Sequence, residues 1–177
     1  MPAPTLLETP RLTLIPADPK ALLALIERPA LGPADELRGL YVSGDVSPQW
    51  IAALRDAGGD PDPWRHGFFI IERDGQAVVG SAGFKGPPDS GGMVEIAYGI
   101  VPSREGRGYA TEAAGALVRF AQADDRVRLL RAHTRPEANA STHVLRKCGF
   151  VHIGEVIDPD DGRVWRWERN ARHIGTP

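Results

Sequence analysis

The spacing of hydrophobic residues changes from region to region, and in the first part of the chain it predicts a strand followed by helices. Residues 11–15 alternate polar and apolar side chains, which predicts a strand. After Asp18, leucines and an isoleucine recur within two helical turns, so a helix should follow and end at Pro29. Residues 30–66 contain shorter helical patterns, of which 48–57 is the clearest because its apolar residues share one face.

The middle of the chain has the pattern of strands joined by tight turns. Residues 68–72 and 77–84 both read as strands, and they flank an Asp-Gly turn, which is typical of a β-hairpin. A third strand is predicted at 93–101, after a loop rich in proline and glycine. Because both connections are short, the three strands should form an antiparallel meander.

The last third adds a helical crossover and a second hairpin. Apolar residues at helical spacing predict a helix at 109–123, and the strand at 128–134 should then lie parallel to the strand before the helix. A short helix at 141–147 and paired strands at 150–157 and 164–169 complete the chain. The sequence therefore predicts an α/β (α+β) fold: a mixed, mostly antiparallel twisted sheet flanked by helices, with one parallel strand–helix–strand crossover.

Composition narrows the class of protein. The chain has 177 residues, and we expect a single domain over 1–177 with a core of about 8–169. The formal net charge is −2 and the basic residues are scattered, so neither nucleic acid nor a membrane surface is an expected partner. The start lacks the pattern of a signal peptide, and no run of about 18 apolar residues occurs. We therefore expect a cytoplasmic protein without a membrane span.

The cysteine and histidine content argues against a metal site. Cys148 is the single cysteine, which excludes an intrachain disulfide and a cysteine-based zinc site. The five histidines do not occur at metal-binding helical spacing, so no metal is expected. Cys148 itself is more simply a small packing residue than a nucleophile.

A glycine-containing turn between the predicted strand at 93–101 and the helix at 109–123 is the most informative feature. Gly106 and Gly108 let the backbone approach an anion, and the helix start offers unbonded N–H groups at the positive end of its dipole. The simpler alternative is a turn that merely connects strand to helix. A dinucleotide-binding fingerprint is rejected because Thr111 replaces its third glycine and the motif follows an antiparallel meander.

Two separated motifs carry a family resemblance. Residues 95–102 read E-I-A-Y-G-I-V-P, residues 106–113 read G-R-G-Y-A-T-E-A, and residues 136–150 form a second block ending in K-C-G-F. Together they resemble the GNAT superfamily of N-acetyltransferases, and most closely its RimJ/RimL-like branch, which acetylates ribosomal-protein N-termini. The opening at 8–14 is similar to the first strand of that branch, so the resemblance spans about residues 8–169.

The resemblance implies a GNAT-like fold, acetyl-coenzyme A (acetyl-CoA) as acyl donor, and direct attack by an amine in a ternary complex. The acceptor would be a peptide N-terminus or a small-molecule amine, and a homodimer would be common for such an enzyme. The cofactor-binding residues implied, together with the glycine turn, are Ile100, Val101, Gly106, Arg107, Gly108, Tyr109, Ala110, Thr111 and Asn139. Asn139 would hydrogen-bond the pantetheine arm, although a turn-forming role is the simpler alternative.

Glu95 and Ser141 are the candidate catalytic residues. Glu95 lies among apolar neighbours on a strand, where its carboxylate could relay a proton from the acceptor ammonium through water. A paired structural acid is the alternative for Glu95. Ser141 alone reads as the N-cap of the short helix. In relatives of this branch the matching serine is proposed to donate a proton near the thioester sulfur.

The sequence departs from the family pattern at two positions. Glu105 stands in the glycine turn where relatives carry glutamine or arginine, which places an acidic side chain near the expected pyrophosphate. Leu145 stands where many relatives carry a tyrosine general acid. These departures leave room for an alternative function, an inactive or weakly active acyl-CoA-binding module on the same fold. A different acyl donor is a third alternative.

Overall fold

The computed structural model describes residues 5–27, 35–42 and 48–172. The predicted helix end at Pro29 and part of the region 30–66 lie outside the described residues. In the described part of the chain, no helix has the length and hydrophobicity needed to cross a membrane.

The described residues form strands, helices and one short 3₁₀ turn. The strands are β1 (Leu7–Glu8), β2 (Leu12–Pro16), β3 (Phe68–Glu72), β4 (Val78–Phe84), β5 (Met93–Ile100), β6 (Leu129–Thr134), β7 (Val151–Asp158) and β8 (Gly162–Asn170). The helices are α1 (Pro19–Glu27), α2 (Glu36–Val42), α3 (Pro48–Asp56), α4 (Pro63–His66), α5 (Tyr109–Gln122) and α6 (Ala140–Lys147), and the 3₁₀ turn is Pro102–Arg104.

The strands form one sheet in the order β1-β2-β3-β4-β5-β6-β8-β7. Neighbouring strands are antiparallel except β5 and β6, which are parallel and joined through α5. The predicted mixed sheet, its meander and its single parallel crossover are therefore confirmed. The two-residue strand β1 was not predicted, because it is too short to show a period of its own.

The sheet opens between its two central strands. β5 and β6 pair at Met93–Leu129, Val94–Leu130 and Glu95–Arg131. Beyond Glu95, β5 pairs with β4, and beyond Arg131, β6 pairs with β8. The two strands therefore diverge, and we call the gap between residues 96–100 of β5 and residues 132–134 of β6 the splay.

The main core lies on the sheet face covered by α5 and α6. Ala113, Leu117 and Ala121 recur at helical spacing and are fully buried, so α5 turns one apolar face to the sheet. Leu145 of α6 and Trp167 of β8 are also fully buried. Burial of each leucine contributes roughly 1.5–3 kcal/mol, which fixes both helices against the strands that border the splay.

Helix α6 begins differently from the sequence prediction. It starts at Ala140, and its N-cap is Asn139, whose side chain accepts a hydrogen bond from the Thr142 N–H at 3.0 Å. The Thr142 hydroxyl and the Asn139 N–H lie 3.1 Å apart and complete a capping box. The expectation that Ser141 is the N-cap is therefore wrong, because Asn139 has the extended backbone that a cap requires.

Candidate functional site

The N-terminus of α5 is shaped to receive an anion. Gly106 and Gly108 have positive φ values of 76° and 82°, a conformation that glycine adopts without strain. Gly108 is the N-cap and has no side chain to cap the helix, whereas Asp62 caps α4 and Asn139 caps α6. The N–H groups in the first turn of α5, at Tyr109, Ala110 and Thr111, consequently have no intrahelical partner. A phosphate group fits this arrangement of donors.

A network of side chains fixes this turn to the segment just before β2. Glu112, in the first turn of α5, accepts hydrogen bonds at 2.7 Å from the Thr9 hydroxyl and the Arg11 Nε. Arg11 also donates from Nη1 to the Arg107 carbonyl at 2.7 Å. Burial would raise the pKa of Glu112, but these hydrogen bonds outweigh burial and lower it. Arg11 belongs to the segment matched to the family's first strand, yet no local pattern could indicate its contact with Glu112.

Glu72 contacts three further side chains around the turn. Its Oε2 accepts a hydrogen bond from the Tyr109 hydroxyl at 2.7 Å. The same oxygen lies 3.6 Å from Arg104 Nε and 3.9 Å from Arg107 Nη1. Arg107 is half exposed and Glu105 is exposed, so both face the solvent side where an anion would arrive. The role of Glu72 was missed because it lies on β3, far from the turn in sequence.

The open edge of β5 supplies backbone groups to the splay. The Val101 N–H donates to the Val79 carbonyl on β4 at 2.8 Å, so it is already used. N–H groups alternate in direction along a strand, which directs the Ile100 N–H toward the splay instead. On the other side, the Asn139 Oδ1 is engaged in the α6 cap, and its amide NH₂ remains to donate.

Glu95 lies at the vertex of the splay, in the last residue pair that joins β5 to β6. Its Oε2 lies 2.7 Å from Lys85 Nζ and its Oε1 lies 3.1 Å from His133 Nδ1. Burial would lower the pKa of Lys85, but the hydrogen bond to Glu95 and nearby carboxylates outweigh burial and raise it. Glu95 is therefore an ion-paired acid in the sheet, and neither Lys85 nor His133 was anticipated as its neighbour.

Ser141 and Tyr98 meet across the splay. The Tyr98 hydroxyl, on β5, donates to the Ser141 carbonyl in the first turn of α6 at 3.4 Å. Burial raises the pKa of Tyr98, so its phenol keeps its proton at neutral pH. Cys148 is buried, and burial also raises the pKa of its thiol, which fits a packing role rather than a nucleophile.

A second opening lies beside Lys85. This cleft has a volume of about 370 Å³, and its lining includes Trp50, Asp60, Asp62, His66 and Lys85. Burial is the main influence on His66 and lowers its pKa, so the imidazole is neutral at pH 7. Among the residues that the structure describes, no three His, Cys, Asp or Glu side chains are grouped so as to hold a metal ion.

Comparison with known proteins shows the family to which this chain is similar. The family model of the acetyltransferase (GNAT) domain matches residues 11–151. The uncharacterized N-acetyltransferase YjdG of Bacillus subtilis is 33% identical over 90 residues, which is 51% of each chain. The chain thus spans about half the length of the curated relatives it matches.

Solved structures share the fold. A GNAT-family acetyltransferase from Bacillus anthracis has a TM-score of 0.65 and 17% identity, covering 94% of this chain and 99% of that one. RimL, a ribosomal L7/L12 alpha-N-protein acetyltransferase in complex with coenzyme A, has a TM-score of 0.62 and 18% identity, covering 94% and 98%. Solved structures at such low sequence identity show the fold alone. The family is shown by the family model that matches residues 11–151. The chain belongs to the GNAT acetyltransferase family.

Proposed function

We propose that this protein transfers the acetyl group of acetyl-CoA to a primary amine, by direct attack while donor and acceptor are both bound. The observation that carries the proposal is the uncapped N-terminus of α5 at the mouth of the splay. Free N–H groups there suit a pyrophosphate, and the splay leads from them to a carboxylate. An anion site alone would serve many ligands, and the adjoining splay is what favours a long, amide-bearing cofactor.

The proposed donor site uses the backbone more than side chains. The N–H groups from Gly106 to Thr111 bind the pyrophosphate, and the half-exposed Arg107 offsets its charge. The Ile100 N–H and the Asn139 amide donate to the pantetheine arm along the splay. The bound thioester supplies an activated acetyl carbon, and the residues at the vertex of the splay act on the incoming amine.

Glu95 is proposed to accept the proton that the acceptor ammonium must lose. Its side chain is 13% exposed, so it is sheltered yet reachable through water. Ser141 is proposed to donate a proton to the departing thiolate and to be reprotonated by the attacking nitrogen, which loses its second proton as the C–S bond breaks. Support comes from the α6 cap: because Asn139 accepts the capping hydrogen bond, the Ser141 hydroxyl is not used for that purpose.

The proposed acceptor is a peptide N-terminus, as in the RimL branch, and small amines are the alternative class. The cleft beside Lys85 is the proposed approach, since it lies next to the residue that contacts Glu95. Asp60 and Asp62 on its lining suit an ammonium group. A cytoplasmic location fits an acetyl-CoA-dependent reaction on such acceptors.

Thermal unfolding with about 1 mM acetyl-CoA tests the donor site, with ATP and NAD at equal concentration as controls. For a dissociation constant of about 10 μM, mass action gives about 2.7 kcal/mol of stabilisation. That corresponds to a rise in Tm of about 5–10 °C for a protein of this size. Absence of a shift, or equal shifts with ATP and NAD, would contradict the assignment of the α5 turn to this donor.

Release of the CoA thiol in the presence of peptides and small amines then tests catalysis. Glu95→Gln should lower kcat about a hundredfold or more while leaving the acetyl-CoA-induced rise in Tm unchanged. Binding of acetyl-CoA without amine-dependent thiol release would favour the acyl-CoA-binding module instead. Glu155→Gln is the control, because Glu155 is an exposed acid on β7 that pairs with Arg163.

A further inference from the structure

Four charged or titratable side chains form a row across the strands that border the splay. Lys85 follows β4, Glu95 lies on β5, His133 on β6 and Arg166 on β8. The row is fixed by backbone pairing: the Lys85 N–H donates to the Glu95 carbonyl at 2.9 Å, and His133 is the register partner of Arg166. The side chains then meet in sequence, with Lys85 to Glu95 at 2.7 Å and Glu95 to His133 at 3.1 Å.

The contact with Arg166 determines which nitrogen of His133 carries the proton. Arg166 Nε donates to His133 Nε2 at 3.1 Å, and an arginine guanidinium cannot accept a hydrogen bond. Nε2 must therefore be the unprotonated nitrogen of the neutral ring, which places the proton on Nδ1. Nδ1 is the atom that faces Glu95 Oε1.

His133 Nδ1 is buried and has no aligned hydrogen bond, since the Glu95 carboxylate lies close to it but off the N–H direction. The terminal torsion of a glutamate is broad, so the carboxylate can rotate relative to the Nδ1–H at little cost. Buried donors in proteins are almost always satisfied. The carboxylate of Glu95 is thus the acceptor available to this proton.

We propose that His133 is a positioning residue that holds Glu95 in place while Lys85 moves aside for the acceptor amine. This inference rests on the proposed role of Glu95 in proton transfer. The Lys85 side chain is 51% exposed on a flexible stem, whereas the His133 side chain is 8% exposed and anchored by Arg166. Oε2 is therefore the oxygen that changes partner, from the Lys85 ammonium to the water that links it to the acceptor, and Oε1 stays on His133.

The surrounding charges leave this division of roles intact. Arg131 and Glu168, on the neighbouring strands, pair with each other at 3.0 Å. Asp158, the last residue of β7, and Asp161, in the turn before β8, act on the row through their charges and favour the Lys85 ammonium. These two carboxylates can stabilise the Lys85 ammonium group when it leaves Glu95.

The tautomer of His133 is the first test, because it can be read without any substrate. Two-bond ¹H–¹⁵N NMR correlations should show the Nδ1–H form in the wild type, with the His133 signal identified by its loss in His133→Asn. In Arg166→Met, which removes the donor to Nε2, the Nε2–H form should gain population. An Nε2–H ring in the wild type would overturn the proposal.

Kinetics provide the second test, through a pair of substitutions that differ in one donor. His133→Phe removes the Nδ1 donor and should lower kcat on the order of tenfold to a hundredfold, with KM for acetyl-CoA unchanged. His133→Asn keeps an N–H near the position of Nδ1 and should restore kcat to within a few-fold of wild type. Arg126→Met is the control, since it breaks the exposed ion pair with Asp124 in the turn before β6 and leaves the row from Lys85 to Arg166 intact.

The outcomes distinguish failure of the positioning role of His133 from failure of the proposed acetyltransferase function. Equal loss of kcat in His133→Phe and His133→Asn, or no loss in either, would overturn the positioning role while the proposed function stands. A wild-type protein without amine-dependent thiol release would overturn the proposed function and the positioning role with it. Thermal unfolding of each variant shows whether a loss of kcat reflects a loss of folded protein.

Discussion

Asn139 and Ser141 differ in task although they are two residues apart and both are common helix-capping types. Asn139 has the extended backbone and its side chain accepts from the Thr142 N–H, so it stabilises the start of α6. Ser141 lies inside the first turn, where its carbonyl accepts from Tyr98 across the splay. Asn139 therefore stabilises the start of α6, and the position of that helix start places Ser141 at the splay.

Paired alanine substitutions separate these tasks. Asn139→Ala should cost about 1 kcal/mol of stability, or about 2–4 °C in Tm, because the cap is lost. Ser141→Ala should leave Tm within about 1 °C, since a helical alanine is well tolerated, and lower kcat by at least about tenfold. Differential scanning calorimetry and the thiol-release assay measure both. A drop in Tm for Ser141→Ala with unchanged kcat would contradict the proposed proton donor.

Between elements, the decisive contact joins the first turn of α5 to the loop before β2. Glu112 accepts from Thr9 and from Arg11, and the Arg11 guanidinium also lies 4.7 Å from the centre of the Tyr109 ring. The glycine turn therefore cannot shift without disturbing the start of the sheet. We expect the shape of the anion site to depend on this junction as much as on its glycines.

The junction makes stability depend on pH in a defined direction. The pKa of Glu112 is lowered in the folded protein, so its contribution is present above its ordinary pKa of 4.5 and is lost as pH falls through the lowered value. Glu112→Gln should cost about 1–2 kcal/mol at pH 7, and the difference from wild type should shrink as the pH falls below 4.5 and through the lowered pKa. Urea unfolding at several pH values measures it.

Glu27→Gln provides the comparison for that experiment. Glu27 pairs with Arg55 at 2.5 Å, but both side chains are about half exposed. Such a pair contributes about 0–1 kcal/mol, so its loss should be small at every pH. If Glu112→Gln lowered the free energy of unfolding no more than Glu27→Gln does, the contacts of Glu112 with Thr9 and Arg11 would not stabilise the fold as expected.

The sequence predicted the elements of this fold better than it predicted the contacts between them. Strands, turns and the α5 crossover have local periodicities, and a parallel pair follows from a helical crossover. The contacts of Glu112 with Arg11 and of Glu95 with Lys85 and His133 depend on register and side-chain direction across the sheet, which no local pattern encodes. The sequence alone does not distinguish Ser141 from Asn139 as the cap of α6, because helix ends are uncertain by one or two residues and both are capping types.

The sheet consists of two groups of strands that meet at three residue pairs and then separate. The α5 turn, the open edge of β5 and the start of α6 all border that separation. A ligand that fills the splay therefore contacts both groups at once. The helices α1 and α3, which pack on each other around Leu22 and Leu54, lie in a separate apolar cluster.

Acetyl-CoA should consequently slow hydrogen exchange in a bipartite pattern. Amides of residues 98–101 and 106–111 on one side, and 139–142 on the other, should gain protection together, because one ligand bridges both groups of strands. Peptides from α1 and α3 should change little. Exchange measured by mass spectrometry resolves these segments. Protection confined to 106–111 would mean that the ligand binds the turn without entering the splay.

The short join between β5 and β6 also bears on how the chain folds. The hairpins β3–β4, β4–β5 and β7–β8 connect neighbouring segments, so closing them costs little chain entropy. Met93 and Leu129 are separated in sequence by the whole of α5, so their pairing closes a long loop. Three residue pairs offset the entropy cost of that closure only weakly. We expect the hairpins to form early and the pairing of β5 with β6 to form late. The splay, which that pairing creates, is then among the last parts of the fold to be assembled.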